Sequence, residues 1–224
     1  MNKIKLLAYA LFTFCFGFLL IAAMLFLPAM SFHYWNGWLF LGLLFIPMFL
    51  LGTVLFVKSP DLLRKRLENK EKEDEQKAVV AVSALMFIGG FVVAGLDYRF
   101  GWSRVPFWVV ITASVLLLTS YGLYCEVMRE NAYLSRTIEV QEGQHVVDTG
   151  LYGIVRHPMY MTTVFLFLSI PLVLGSWYAL IIFLIYPFLL IKRIRNEEKV
   201  LLEGLEGYGD YMKKVKYRMI PFIW

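Results

Sequence analysis

The sequence predicts an all-α polytopic membrane protein with four transmembrane spans followed by a C-terminal transmembrane helical hairpin. Three observations carry this. The chain of 224 residues is 59% hydrophobic and only 17% charged, with a mean hydropathy of +0.64, more than a soluble domain of this length needs to fill a core. Its apolar residues fall into uncharged runs close to the ~20 residues that cross a hydrocarbon layer of ~30 Å. Its lysines and arginines gather on alternate connections, as the positive-inside rule requires.

Leu6 to Val57 contains no Asp, Glu, Lys or Arg and accommodates two spans broken around Pro28 to Asn36. Lys3 and Lys5 ahead of an apolar run resemble the start of a signal peptide. The run to Leu27 exceeds a signal's apolar core and lacks a small-residue cleavage site, so it reads as a retained span. In the charged loop 58–77, Ser59-Pro60-Asp61 looks like a helix start, and Arg64 to Lys77 like a solvated or interfacial helix. Ala78 to Leu96 reads as the third span and Val105 to Cys125 as the fourth. Pro158 to Ile191 is too long for one span and is interrupted by Pro171 and Gly175-Ser176. It reads as two helices, because a backbone break at membrane depth survives only where protein or a polar cavity covers it. Residues 1–128 then form an N-terminal set of helices, and 129–224 a second region with the hairpin 158–191 and a polar tail.

This topology puts two lysines of the N-terminus, seven Lys/Arg of loop 58–77, three of loop 126–157 and eight of the tail on one side, leaving Arg99 and Arg104 opposite. That side is expected to be cytoplasmic, with both termini. The net charge of +5 requires no nucleic-acid partner, since basic edges attract anionic headgroups of the bilayer. Cys15 and Cys125 lie within or beside spans without CxxC spacing, so neither a disulfide nor a metal site is expected. His33 beside Tyr34, Trp35 and Trp38 reads as an interfacial aromatic belt. Gly204-Leu-Glu-Gly-Tyr-Gly209 follows no strand and is no nucleotide loop. Gly89, Gly90 and Gly95 permit close helix packing, within one chain or between copies; the oligomeric state stays open.

The chemistry-bearing residues cluster at the two ends of the hairpin. Thr137 to Gln141 and Gln144 to Val147 alternate as extended segments do around a Glu142-Gly143 turn, suggesting a short strand pair over the membrane face. Gly150, Tyr152 and Gly153 make a tight turn into Arg156-His157-Pro158, where Pro158 can open a helix at no hydrogen-bond cost. At the far end stand Arg193, Glu197 and Glu198, followed by Tyr208 and Tyr211.

Gly150-x-Tyr152-x-x-x-Arg156-His157-Pro158-x-Tyr160, an apolar hairpin, then Arg193-x-x-x-Glu197-Glu198-x-x-Leu201 and Tyr208-x-x-Tyr211 together resemble the isoprenylcysteine carboxyl methyltransferase family, related to the phospholipid methyltransferases. The resemblance covers roughly the last 95 residues. It implies a methyltransferase that uses S-adenosylmethionine without a Rossmann domain, with a cytoplasmic cofactor pocket. The family's cofactor contacts would fall on Gln141, Gln144, His145, Val146, Val147, Tyr152, His157, Pro158, Met159, Tyr160 and Glu197, and its substrate-side arginine on Arg193. Met161-Thr162 stand where family members often carry a Gly-aromatic pair.

The residue types suit such a ligand on their own account. A sulfonium and an ammonium favour a carboxylate such as Glu197 and aromatic faces such as Tyr152 or Tyr160. A carboxylate acceptor is already ionised, and Arg193 can orient it through two hydrogen bonds. An amine acceptor must lose a proton, with Glu198, His145 or His157 as candidate bases. Arg193 and Glu198 are therefore the candidate catalytic pair. The simpler alternatives are that Arg193 and Arg195 are membrane anchors, that Glu198, Glu126 and Glu130 are surface charges, and that Tyr208 and Tyr211 dock the tail. The expected activity is methyl transfer to an amphiphilic or prenylated acceptor entering from the bilayer. Amine N-methylation, an NADPH-dependent sterol-reductase-like reaction and a non-enzymatic sensor or accessory subunit are the rivals.

Overall fold

A computed structural model describes residues 3–67, 74–134, 138 and 140–224. Its helices are α1 (Lys3–Ala29), α2 (Trp35–Lys58), α3 (Pro60–Leu67), α4 (Asp74–Phe100), α5 (Phe107–Glu130), α6 (Pro158–Val173), α7 (Trp177–Phe183), α8 (Ile185–Gly204) and α9 (Tyr208–Lys214), with a 3-10 turn at Gly150–Gly153. By length and composition α1, α2, residues 78–100, α5 and the continuous pair α7–α8 can each cross a membrane, and α6 is a shorter apolar helix. The expected four spans and hairpin are all present as helices.

The hairpin's turn lies far from the polar clusters. Gly175 holds φ +77°, a region open to glycine, beside the Asn36 side chain. Asn36 donates to the Val173 carbonyl at 2.8 Å and Tyr34 to the Leu174 carbonyl at 2.6 Å, which ties the α1–α2 corner to this turn. Asp97, 1% exposed at the end of α4, accepts from the Ser103 amide (2.7 Å), the Ser103 hydroxyl (2.6 Å) and the Ser176 hydroxyl (2.5 Å). Ser176 in turn caps α7 by accepting from the Ala179 amide.

Pro171 does not interrupt the hairpin; it stays inside α6, and the break falls at Leu174 to Ser176. Pro171 lacks an N–H to donate, but the amides beyond it still find carbonyls: Leu174 to Ile170, Gly175 to Leu172 and Ser176 to Pro171. The return helix is instead jointed at Leu184, between α7 and α8. Pro187 lies three residues on, and its ring cannot tolerate the carbonyl of residue 183 in straight helical geometry.

The core forms where α1, α2, α4 and α5 meet the hairpin, around Leu25, Phe40, Leu117, Ile170, Phe183 and Ile194. Gly90 and Gly95 serve packing within the chain. A Cβ on Gly90 would sit 2.3 Å from the Phe183 ring, and one on Gly95 would sit 2.5 Å from the Leu25 carbonyl. Gly89 faces open space. Cys15 and Cys125 are both free and exposed.

The strand pair expected around 137–147 is not formed among the described residues; positions 137 and 139 lie outside them. The Glu142-Gly143 turn is present, closed by the Gln144 amide on the Gln141 carbonyl at 3.0 Å. Side chains take the place of a ladder. The Gln141 amide donates to the Gln144 side chain, the Gln141 side chain to the Tyr133 carbonyl, and the Tyr133 hydroxyl to the Gly143 carbonyl.

Candidate functional site

The Gly150 turn is built around a carboxylate. Gly150 has φ +53°, and a Cβ there would lie 1.4 Å from Glu130 Oε1. Glu130 Oε2 accepts from the Leu151 amide at 3.0 Å, so this glutamate anchors the turn and is not a bystander on the surface. The turn buries Tyr152, whose hydroxyl accepts from Asn131 (3.1 Å) and whose carbonyl accepts from the Tyr211 hydroxyl (2.7 Å). Burial pushes the Tyr152 phenol above its ordinary range, so it stays neutral.

His157 stays outside helical geometry at φ −125° and ψ 62°, as the residue before a proline is biased to do, and Pro158 opens α6. The amides of Arg156 and His157 donate to the carbonyls of Tyr217 and Arg218 at 2.9 and 2.8 Å, stitching the tail to the start of the hairpin. The α8 helix then brings its charged end alongside.

Glu197 and Glu198, adjacent on α8, face different partners. Glu198, 4% exposed, accepts from Arg156 Nε at 2.8 Å and Arg218 Nε at 2.8 Å, with His157 Nε2 at 3.3 Å. Arg156 also donates to the carbonyls of Val215 and Lys216. Glu198 therefore does not face solvent; it is the centre of a buried knot that locks α6, α8 and the tail together. Glu197 accepts from the Tyr160 hydroxyl, and that oxygen accepts from Arg193 Nε at 2.9 Å. His157 Nδ1 lies 3.9 Å from Glu197.

A cavity of about 100 Å³ opens beside this chain of groups. Of the residues expected at a site, Gln144, His145, Val146, Val147, Tyr152, His157, Met159, Tyr160, Arg193 and Glu197 line it. Gln141, Pro158 and Glu198 stand behind its wall. The wall also includes Asn131, Tyr133, Leu134 and Ile138, which carry no sequence signal of their own, and Tyr208 and Tyr211, which read in the sequence first as residues that dock the tail and second as pocket lining. No group of three or more His, Cys, Asp or Glu suited to a metal occurs among the described residues.

Fold and site together define a multi-pass helical membrane protein with a polar, aromatic cavity where the two ends of its C-terminal hairpin meet. Residues 108–203 match the sequence model of the Isoprenylcysteine carboxyl methyltransferase (ICMT) family, so the resemblance drawn from the Arg-His-Pro turn and the Glu-Glu pair is shown over that stretch. The match begins earlier than the turn, in α5, and stops before Tyr208 and Tyr211. Two relatives match parts of this chain. A Delta(14)-sterol reductase of Mus musculus is 32% identical over 91 residues, 39% of this chain and 22% of that protein. An uncharacterized protein of Bacillus subtilis (strain 168) is 31% identical over 97 residues, 43% of this chain and 58% of that protein. The chain thus spans about a fifth of the first and under three fifths of the second.

Proposed function

We propose that the protein is an integral-membrane methyltransferase that uses S-adenosylmethionine to methylate an amphiphilic acceptor, with an isoprenylcysteine-type carboxylate as the preferred group. The observation that carries this reading is the Arg193–Tyr160–Glu197 chain at the cavity, lying inside the segment matched to the ICMT family.

The residues fit such a cofactor. Glu197 offers an anionic face to an ammonium or sulfonium, and the rings of Tyr152, Tyr160 and His157 surround the same space. The backbone and side chains of Gln144 to Val147 close the other side. The cavity is smaller than the ~300–1,000 Å³ of pockets that enclose a whole ligand, so in this conformation it would cover the cofactor only in part. When bound, S-adenosylmethionine supplies an electrophilic methyl group on sulfur.

The chain's own contribution is placement. Glu197 and the aromatic faces hold the donor, and Arg193, braced by Tyr160, points a forked donor at the acceptor carboxylate. A carboxylate needs no base. Glu198 is ill suited to be one, because Arg156, Arg218 and His157 already occupy its oxygens. We assign it a positioning role. An amine acceptor would have to rely on His145, which lines the cavity with its Nδ1 3.0 Å from the Tyr133 hydroxyl. Residues 1–128 act as scaffold in this reading. The concentration of Lys/Arg on the side that carries the site and both termini supports a cytoplasmic orientation for them.

Calorimetric titration of the detergent-purified full chain with S-adenosylmethionine, with NADPH as control, tests this. The wild type should bind the methyl donor, and Glu197→Ala should bind at least tenfold more weakly while unfolding at a similar temperature. Binding of NADPH alone would select the reductase reading that the murine relative suggests. Radiolabelled methyl transfer then separates acceptors, since methyl esters are cleaved by mild base and methylamines are not.

A further inference from the structure

We infer that the Tyr208 hydroxyl is a ligand-binding group of the cavity and engages the amino-acid end of the methyl donor, an inference that rests on the methyltransferase reading above. Tyr208 is 4% exposed and opens α9 directly after Gly207. It belongs to a buried cluster with Leu205, Tyr211 and Val215, against which Val146 packs. Its hydroxyl oxygen is buried and has no hydrogen-bond partner, while the residue lines the cavity.

Phenylalanine would fill the same space without stranding a polar atom, and buried polar atoms are nearly always satisfied. The other tyrosines around the cavity obey that rule. Tyr133 donates to Gly143, Tyr152 accepts from Asn131, Tyr160 bridges Glu197 and Arg193, and Tyr211 donates to Tyr152. Tyr208 is the exception among them, which marks its oxygen as a contact completed by a ligand.

The charges around the oxygen identify which part of the ligand. Glu198, Glu197 and Arg156 are the side chains that act on it most strongly through space, together with the neighbouring Tyr211. Burial and the two glutamates hold the phenol above its ordinary range, so it keeps its proton. A neutral hydroxyl can donate to a carboxylate and accept from an ammonium, the pair that an amino-acid end presents. The apolar wall of Leu134, Ile138 and Val147 suits the nucleoside instead.

The test compares wild type and Tyr208→Phe, as full chains in detergent, with two probes. One is S-adenosylhomocysteine; the other is 5′-methylthioadenosine, which keeps the nucleoside and lacks the amino-acid end, titrated as a competitor to millimolar concentration. The variant should bind S-adenosylhomocysteine roughly tenfold more weakly, the scale of one lost hydrogen bond to a charged group. It should hold methylthioadenosine as the wild type does, whether tightly or not at all. Its ligand-free form should unfold at the same temperature or higher, because a stranded polar atom has been removed. Equal S-adenosylhomocysteine affinity in both proteins would overturn the inference, as would an equal loss for both probes or a less stable ligand-free variant. Failure of the wild type to bind S-adenosylhomocysteine would instead overturn the methyltransferase reading itself.

Discussion

At the residue scale, the site turns on neighbours in sequence that are not neighbours in role. Successive side chains on a helix point about 100° apart. Glu197 thereby meets Tyr160 at the cavity, while Glu198 enters the knot of Arg156 and Arg218. The pair was legible as a motif, but the rotation of α8 that sorts its members was not, because packing of the whole bundle sets it. Tyr208 and Tyr211 were legible as part of the motif, but their place at the cavity was not fixed by it: Tyr211 reaches the Tyr152 carbonyl across 59 positions, and no periodicity reports contacts of that range. Gly150 allows a direct test. Gly150→Ala combines a positive φ with a Cβ placed on the Glu130 carboxylate, and should cost about 1–3 kcal/mol. Glu130→Ala removes the collision together with the anchor on the Leu151 amide, so thermal unfolding should show the double variant differing from Glu130→Ala alone by only the smaller backbone part.

At the element scale, uncharged runs marked the spans reliably because a bilayer tolerates few unpaired charges. Their ends were read less well. Pro171 suggested a break that hydrogen bonding to earlier carbonyls prevents, and the joint at Leu184 follows from Pro187. The loop over the cavity alternates like a strand, yet its polar groups are claimed by Gln141, Gln144 and Tyr133. The hairpin's turn depends on Asp97, which gathers Ser103 and Ser176 from two other segments. Asp97→Ala strands buried donors at ~1–3 kcal/mol each. The variant should show a clear fall in unfolding temperature, with Asp97→Asn falling less. If Asp97→Ala unfolds like the wild type, the turn is held by Tyr34 and Asn36 alone.

At the scale of the whole molecule, the family match covers 108–203, but the cavity borrows from beyond it. Arg66 of α3 touches the Met159 sulfur at 3.7 Å and lies over the Tyr124 ring. The tail contributes Tyr208 and Tyr211 to the wall and Arg218 to the knot at Glu198. The two helices that carry the polar clusters also differ in reach. With 16 residues, α6 spans roughly 24 Å, short of a ~30 Å hydrocarbon layer, and its far end is pinned at the turn by Tyr34 and Asn36. A bilayer whose far face meets that turn would hold the cavity at a depth set by the length of α6. A thicker membrane buries the site further from the level at which an acceptor's head group floats, and a thinner one lifts it level. Reconstitution in bilayers of graded acyl length should show turnover passing through a maximum on the thin side, whereas a flat profile would mean that the lipids deform to meet the protein. The enzyme proposed here would then act as a gauge of membrane thickness, set by the length of one helix.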